Sequence, residues 1–243
     1  MATRRLYLED AYLRSFEAEV IEAAPDSVVL DITAFYPGGG GQPCDHGNLS
    51  LPDGMRLAVS GAAKDGAGIR HTLQGGSASV GARVVGELDW PRRYALMRTH
   101  TAMHILCGVI WKQYGASVTG GNMEPLKGRM DFEFESMRQE FVREIEALIN
   151  VEVASARPVT TAVLPRTEAF QIPDLIRTKI NLLPPDITEV RVVEIVGLDL
   201  QADGGTHVGN TREVGPLKIT DYKSKGASNK RLVVSLEPEV AHV

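Results

Sequence analysis

The sequence predicts an α+β fold: a small β-barrel-like domain over residues 1–90, then an α/β domain over 91–243 whose sheet is mostly antiparallel. Three observations carry this reading. Short segments of alternating apolar and polar residues, separated by Gly- and Asp-bearing turns, crowd the first third of the chain. A change of character follows at Trp90-Pro91, where a long helical pattern begins. Beyond it, strand-like runs interleave with a second helical pattern.

Each element has its own signal. Residues 16–33, FEAEVIEAAPDSVVLDIT, read as a hairpin about Pro25-Asp26-Ser27 because apolar residues alternate on both sides of that turn. Strands follow at 56–62, 68–73 and 82–89. The four glycines at 38–41 are framed by Tyr36-Pro37 and Gln42-Pro43, which suits a loop where backbone approaches something closely rather than a linker. Residues 91–114 form a helix, with Pro91 in its first turn and Gly115 just past its end. Gly120 and Gly121 mark a loop, and 129–134, RMDFEF, alternate as a strand. Ser136 and Gln139 have capping-box spacing for a helix running to about Asn150, with Phe141, Ile145, Leu148 and Ile149 as its apolar stripe. Strands are expected at 159–164, 187–196, 217–222 and 231–236, with a short helical stretch starting at Pro165. There is no internal repeat.

Composition narrows the function classes. Hydrophobic residues are 43% and charged residues 23% of the 243, an ordinary globular balance. No apolar run approaches the roughly 18 residues that span a bilayer, so no membrane role is expected. Arg4 and Arg5 have no apolar segment behind them, which argues against a secretory signal and for a cytoplasmic protein. Cys44 and Cys107 are too few for a disulfide framework and read as free thiols, Cys107 in the core. A net charge of −5 argues against nucleic-acid binding through bulk charge, but leaves room for a local basic patch.

The residues that carry chemistry lie in two distant stretches. His100 and His104 occur as H-T-A-M-H, and a spacing of four puts both imidazoles on one helix face, within reach of one ion. Alone, such a pair is as readily a pair of core or surface histidines. Thr101 stands where a metalloprotease of this motif needs Glu, which removes that reading. Asp199-Leu-Gln-Ala-Asp-Gly-Gly-Thr-His207 follows directly after an apolar run, and a polar, Gly-rich turn ending in His suits a site; its plain alternative is an Asp-Gly-Gly turn with a surface His. Four candidate metal ligands result: His100, His104, Asp203 and His207. If Asp203 ligates, protein fills all four positions of a tetrahedral ion; if not, water takes the fourth place and Asp203 is free to act as a general base.

With these residues in view, the sequence resembles the AlaX proteins, stand-alone relatives of the editing domain of alanyl-tRNA synthetase. The resemblance spans nearly the whole chain and rests on D-I-T-A-F-Y-P-G-G-G-G-Q-P-C-D-H-G (31–47), R-T-H-T-A-M-H (98–104), K-G-R-M-D-F (127–132), Q-A-D-G-G-T-H-V (201–208) and K-S-K-G-A-S-N-K-R-L (223–232). In length the chain resembles the family's medium form. The resemblance implies a barrel-like domain followed by an editing domain from residue 91 onward. It also implies hydrolysis of the aminoacyl ester on tRNA(Ala) carrying serine or glycine, and one zinc ion per chain. The family's ligands, two His of HxxxH and the Cys and His of CxxxH, map to His100, His104, position 203 and His207. Position 203 departs from the pattern: Asp203 replaces a softer thiolate, which makes a weaker or different metal the expected consequence.

An alanine pocket rejects serine or glycine poorly, so a second, hydrolytic sieve is the physical remedy. Thr33 matches a family threonine placed to recognise the serine hydroxyl, and Gln42 a family residue near the substrate. Gly39, Gly40 and Gly41 would let backbone approach the aminoacyl group or terminal adenosine. Lys218, Lys223, Lys225, Asn229, Lys230 and Arg231 surround a basic turn able to contact phosphates, and Arg92, Arg93 and Arg98 share the helix of the histidines and could face the acceptor end of tRNA(Ala). No obligatory protein partner is inferred. Two further readings compete: a non-catalytic tRNA-binding module with a weakened metal site, and a small-molecule metallohydrolase on a borrowed fold.

Overall fold

A computed structural model describes residues 2–134, 136–178, 183, 187–226 and 229–238. The chain divides into two compact units, Met1–Ala95 and Leu96–Val243. Among the described residues no helix is long and apolar enough to cross a membrane.

The first unit is built on a closed, six-stranded antiparallel barrel. Its strands are β2 (Ser15–Ala24), β3 (Ser27–Leu30), β5 (Gly47–Ser50), β6 (Arg56–Asp65), β7 (Gly68–Gln74) and β8 (Arg83–Leu88), in the cyclic order β2-β3-β7-β6-β5-β8. Two short strands, β1 (Arg4–Arg5) and β4 (Ile32–Thr33), pair in parallel beside it. Alternation sets the inward face. In β2, Phe16, Ala18 and Val20 are buried while Glu17 and Glu19 are exposed. They meet Leu30, Leu49, Leu57 and Ile69 in one core. Register shifts at Val20/Glu22 and Val59/Gly61 introduce the local bends that closure demands.

The expected hairpin is present but ends at Leu30. The Asp31 carboxylate accepts from the Glu19 N–H (2.7 Å) and the Ile32 N–H (2.8 Å), which breaks the ladder and redirects the chain into β4. Nothing in the sequence announces β5, because GNLS lacks alternation and carries two poor strand formers. It exists because it bridges β6 and β8, and Gly47 is what fits: a Cβ there would lie 2.1 Å from the Glu87 carbonyl oxygen and 2.8 Å from the Phe35 ring.

The long helix α1 spans Trp90–Tyr114. It shows no amphipathic stripe because it is buried on every side from Ala95 to Ile110. The second unit contains two antiparallel sheets. One has the order β14 (Leu217–Ser224), β15 (Asn229–Leu236), β10 (Lys127–Glu133), β9 (Val118–Glu124); the other has β11 (Val159–Pro165), β12 (Glu189–Ile195), β13 (Asp199–Ala202). Helix α2 covers Gln139–Ala154 and the single turn α3 covers Arg166–Ala169.

Three expectations fail here. Gly120 and Gly121 lie in β9, paired with Asp131 and Met130, where the ladder overrides their poor propensity. Ser136 does not cap α2: the helix begins three residues later, with Arg138 at the N-cap position and no side-chain cap. The apolar face of α2 is Val142, Ile145, Ile149 and Val153, so the stripe is shifted from the expected one.

Candidate metal centre

One turn of α1 and the segment after β13 supply the centre. His100 and His104 stand one above the other on α1, 4% and 6% exposed, their ring centroids 5.2 Å apart. β13 runs antiparallel to β12 and ends at Ala202; the Asp203 N–H donates to the Arg191 carbonyl, which starts the turn in register with β12. The Asp203 carboxylate accepts from the Gly205 N–H at 2.6 Å, and the Arg191 guanidinium donates to the carbonyls of Asp203 and Gly205 at 3.0 Å each. This brace carries His207 back to α1, with its ring centroid 4.2 Å from that of His100 and 4.8 Å from that of His104.

The four expected ligands therefore converge. One ligand atom from each of His100, His104, Asp203 and His207 lies within 4.8 Å of the others, a group that could hold a metal ion. Asp203 Oδ2 is 3.4 Å from His100 Nε2 and 3.9 Å from His104 Nε2, and Oδ1 is 3.1 Å from His207 Nε2. All three imidazoles thus present Nε2 to one carboxylate. The outer nitrogens of two are held from behind: His104 Nδ1 is 3.0 Å from Asp199 Oδ2, and His207 Nδ1 is 3.3 Å from Thr101 Oγ1, which also accepts from the Val208 N–H.

The electrostatics agree. Burial presses the Asp203 carboxyl upward, but the facing imidazoles, His100 foremost, overcome it and hold the group well below the carboxylate range. Burial and the neighbouring His100 push His207 well below the ordinary imidazole value, so it stays neutral. Burial opposes the charge on His104 too, yet Asp199 and Asp203 raise it to about 9. The Asp203 carboxylate thus faces a protonated His104, and a cation can take that proton's place.

Thr101 and Asp199 escaped the sequence reading as contributors. Locally the sequence says only that Asp199 and Gln201 alternate along β13 and share a face, not what that face packs against.

The remaining expected site residues lie as follows. Thr33 is fully buried; its Oγ1 is 2.8 Å from Nε2 of the buried His71 and accepts from the Phe35 N–H at 3.1 Å. Burial lowers His71 to about 4, against the pull of its contact with the Val28 carbonyl, so the ring is neutral. Its Nδ1–H faces that carbonyl, Nε2 accepts the Thr33 proton, and the Thr33 oxygen is left with acceptor capacity only. Gly39 and Gln42 exchange two backbone hydrogen bonds of 3.0 Å, closing a tight turn. Gly38 to Gly41 all have positive φ, from 59° to 132°, which explains why only glycine stands there. The roots of this loop are clasped: the Tyr36 N–H donates to Asp45 Oδ2 at 2.7 Å, and the fully buried Arg93 donates to Asp45 and to the Ala34 and Ala11 carbonyls.

Arg93 is thus an internal clasp and not a surface cation as expected. A guanidinium among carbonyls and a carboxylate is held more firmly than one in water. Arg98 is likewise buried, donating to the Val214 and Glu237 carbonyls. In the basic cluster, Arg231 pairs bidentately with Asp131 at 2.7 Å, Lys223 pairs with Asp221 at 3.0 Å, and the buried Lys230 donates to the Gly226 carbonyl. Asn229 accepts from Thr119 through its side chain, and Lys225 is exposed. Ala227 and Ser228 of that turn lie outside the described residues.

Comparison with known proteins adds to the geometry. Residues 190–233 match the family described as the threonyl and alanyl tRNA synthetase second additional domain, and residues 9–92 match class II (A) tRNA synthetases. The chain is 38% identical over 240 residues to an alanyl-tRNA editing protein AlaX-M of Saccharolobus solfataricus, covering 97% of this chain and all of that one. It is 40% identical to the AlaX-M of Methanosarcina acetivorans, over 96% of this chain and 99% of that one. An alanine–tRNA ligase of Ignicoccus hospitalis is 41% identical over 89% of this chain, a match spanning 24% of the ligase.

Proposed function

The chain belongs to the AlaX-M family of alanyl-tRNA editing proteins, and from that membership we propose that it is a trans-editing hydrolase. It would cleave the aminoacyl ester of mischarged tRNA(Ala), chiefly seryl and also glycyl, in the cytoplasm where such tRNA is made. The observation that supports this most is the convergence of His100, His104, Asp203 and His207.

Three imidazole nitrogens and one carboxylate fit zinc by donor type, one ion per chain. Bound there by all four donors, zinc would fix the site and supply positive charge beside the ester. The protein's own residues do the rest. Asp203 is taken as a ligand: one oxygen is committed to the Gly205 N–H, and a carboxyl held so far below its usual range is a weak base. Thr33 is the proposed reader of the substrate side chain, since its oxygen can only accept; a seryl hydroxyl can donate to it and an alanyl methyl cannot. Gln42 and the turn at Gly39, Gly40 and Gly41 offer backbone and amide groups for the ester carbonyl and terminal adenosine. Lys223, Lys225, Asn229, Lys230 and Arg231, with Arg98 bracing the helix, are assigned to the acceptor end; their contribution should weaken with salt.

The test offers Ser-tRNA(Ala), Gly-tRNA(Ala), Ala-tRNA(Ala) and a free serine ester to the protein, with metal content measured on the same sample. Turnover of the mischarged species with sparing of Ala-tRNA(Ala) is the expected result. Binding of tRNA without turnover would replace the proposal by a binding module, and turnover of the free ester alone by a small-molecule hydrolase.

A further inference from the structure

Behind His104 lies a buried polar arrangement that the hydrolytic reading leaves unexplained. Asp199 opens β13 and is 4% exposed. Its Oδ2 takes both short contacts, His104 Nδ1 at 3.0 Å and Gln201 Nε2 at 2.7 Å. Among the described residues its Oδ1 makes no hydrogen bond, and the Arg177 guanidinium stands 3.6 Å away as countercharge, stacked 4.7 Å from the Trp111 ring centroid. A carboxylate this deep in the protein is costly unless something uses it.

What lets it reach α1 is a glycine one turn beyond His104. A Cβ on Gly108 would lie 2.9 Å from the Asp199 Cβ, 2.9 Å from the Leu198 Cγ and 3.2 Å from the Leu198 carbonyl oxygen. Gly108 is helical, so no unusual φ requires glycine; the close approach of β13 does. The absent side chain is the slot into which Asp199 descends onto His104.

We infer that Asp199 is a positioning residue for the metal centre, seated by Gly108 and secured by Gln201 and Arg177, whose task is to fix His104 as the Nδ1–H tautomer with Nε2 aimed at the ion. Losing such an orienting partner weakens metal binding by roughly 10- to 100-fold in characterised sites. This rests on the reading that the cluster binds zinc.

The experiment is a zinc titration of the full chain by chelator competition, repeated with cobalt(II) to record the ligand-field spectrum. Asp199→Ala should bind zinc roughly 10- to 100-fold more weakly and alter the cobalt spectrum, with Asp199→Asn, which keeps the shape and one acceptor, between it and the parent. Gly108→Ala, which touches no ligand, should move affinity in the same direction. In a His104→Ala background, Asp199→Ala should add nothing further, because the residue it orients is gone; a merely structural role would still show. Parent-like zinc affinity in both Asp199→Asn and Gly108→Ala, or an undiminished effect of Asp199→Ala without His104, overturns the inference. A parent protein that binds no zinc removes the metal reading itself, and the inference with it.

Discussion

Acidification should strip the first unit of a stabilising contribution that resides in one histidine. His71 is 0% exposed, its ring edge-on to Phe35 at 5.5 Å, and is held at about 4 by burial. In the unfolded chain it titrates near 6.5. Because the folded value is the lower, the unfolded state takes up the proton first as pH falls. Stability is therefore intact above about 6.5 and drains away down to about 4. The difference of about 2.5 units, at 1.36 kcal/mol each, amounts to about 3 kcal/mol. His71→Leu removes the proton site and leaves the Thr33 hydroxyl without its acceptor, a loss of about 1–3 kcal/mol at pH 7. Urea unfolding of both proteins from pH 7 to pH 4 makes the comparison, and every other titrating group cancels in the difference. The parent should be the more stable at pH 7, and that advantage should shrink by about 3 kcal/mol on reaching pH 4. A difference that stays flat across the range would refute the claim that this ring is buried neutral against Thr33.

Other perturbations probe the centre and the barrel. Asp203→Cys places a softer ligand among the three imidazoles, and chelator competition should show tighter zinc than in the parent. Zinc added to metal-free protein in weakly buffered solution at pH 7 should release protons, the one on His104 among them. Apparent affinity should rise with pH until about 9, where His104 has lost its proton, and level off there. Gly47→Ala drives a methyl into the Glu87 carbonyl and the Phe35 ring and should cost at least about 1–3 kcal/mol in thermal or urea unfolding.

The barrel was legible wherever alternation could announce it, as in Phe16, Ala18 and Val20 of β2. It was illegible where pairing supplies what local preference lacks: Gly47 to Ser50 and the glycines of β9 are strands because their neighbours make them so. Helix α2 misled for the opposite reason, since Ser136 and Gln139 have the right spacing but the helix starts after the serine. At the centre, the four donors could be read from two short motifs, because a spacing of four and a Gly-rich turn are local facts. Asp199 and Gly108 could not, since their meaning is a close approach of segments far apart in the chain, a Cβ on Gly108 falling 2.9 Å from the Asp199 Cβ. Arg93 shows the converse risk: a cation in a basic-looking stretch became a buried clasp once its Asp45 partner was found.

The separation between the donors, about a hundred residues from His104 to Asp203, has a consequence for biosynthesis. A nascent chain that has emerged from the ribosome only through α1 carries two of the centre's four donors, too few to retain an ion firmly. The complement is finished once residue 207 is free to fold back. On the proposed reading, a product interrupted before that point lacks a complete set of donors and would leave aminoacyl esters untouched.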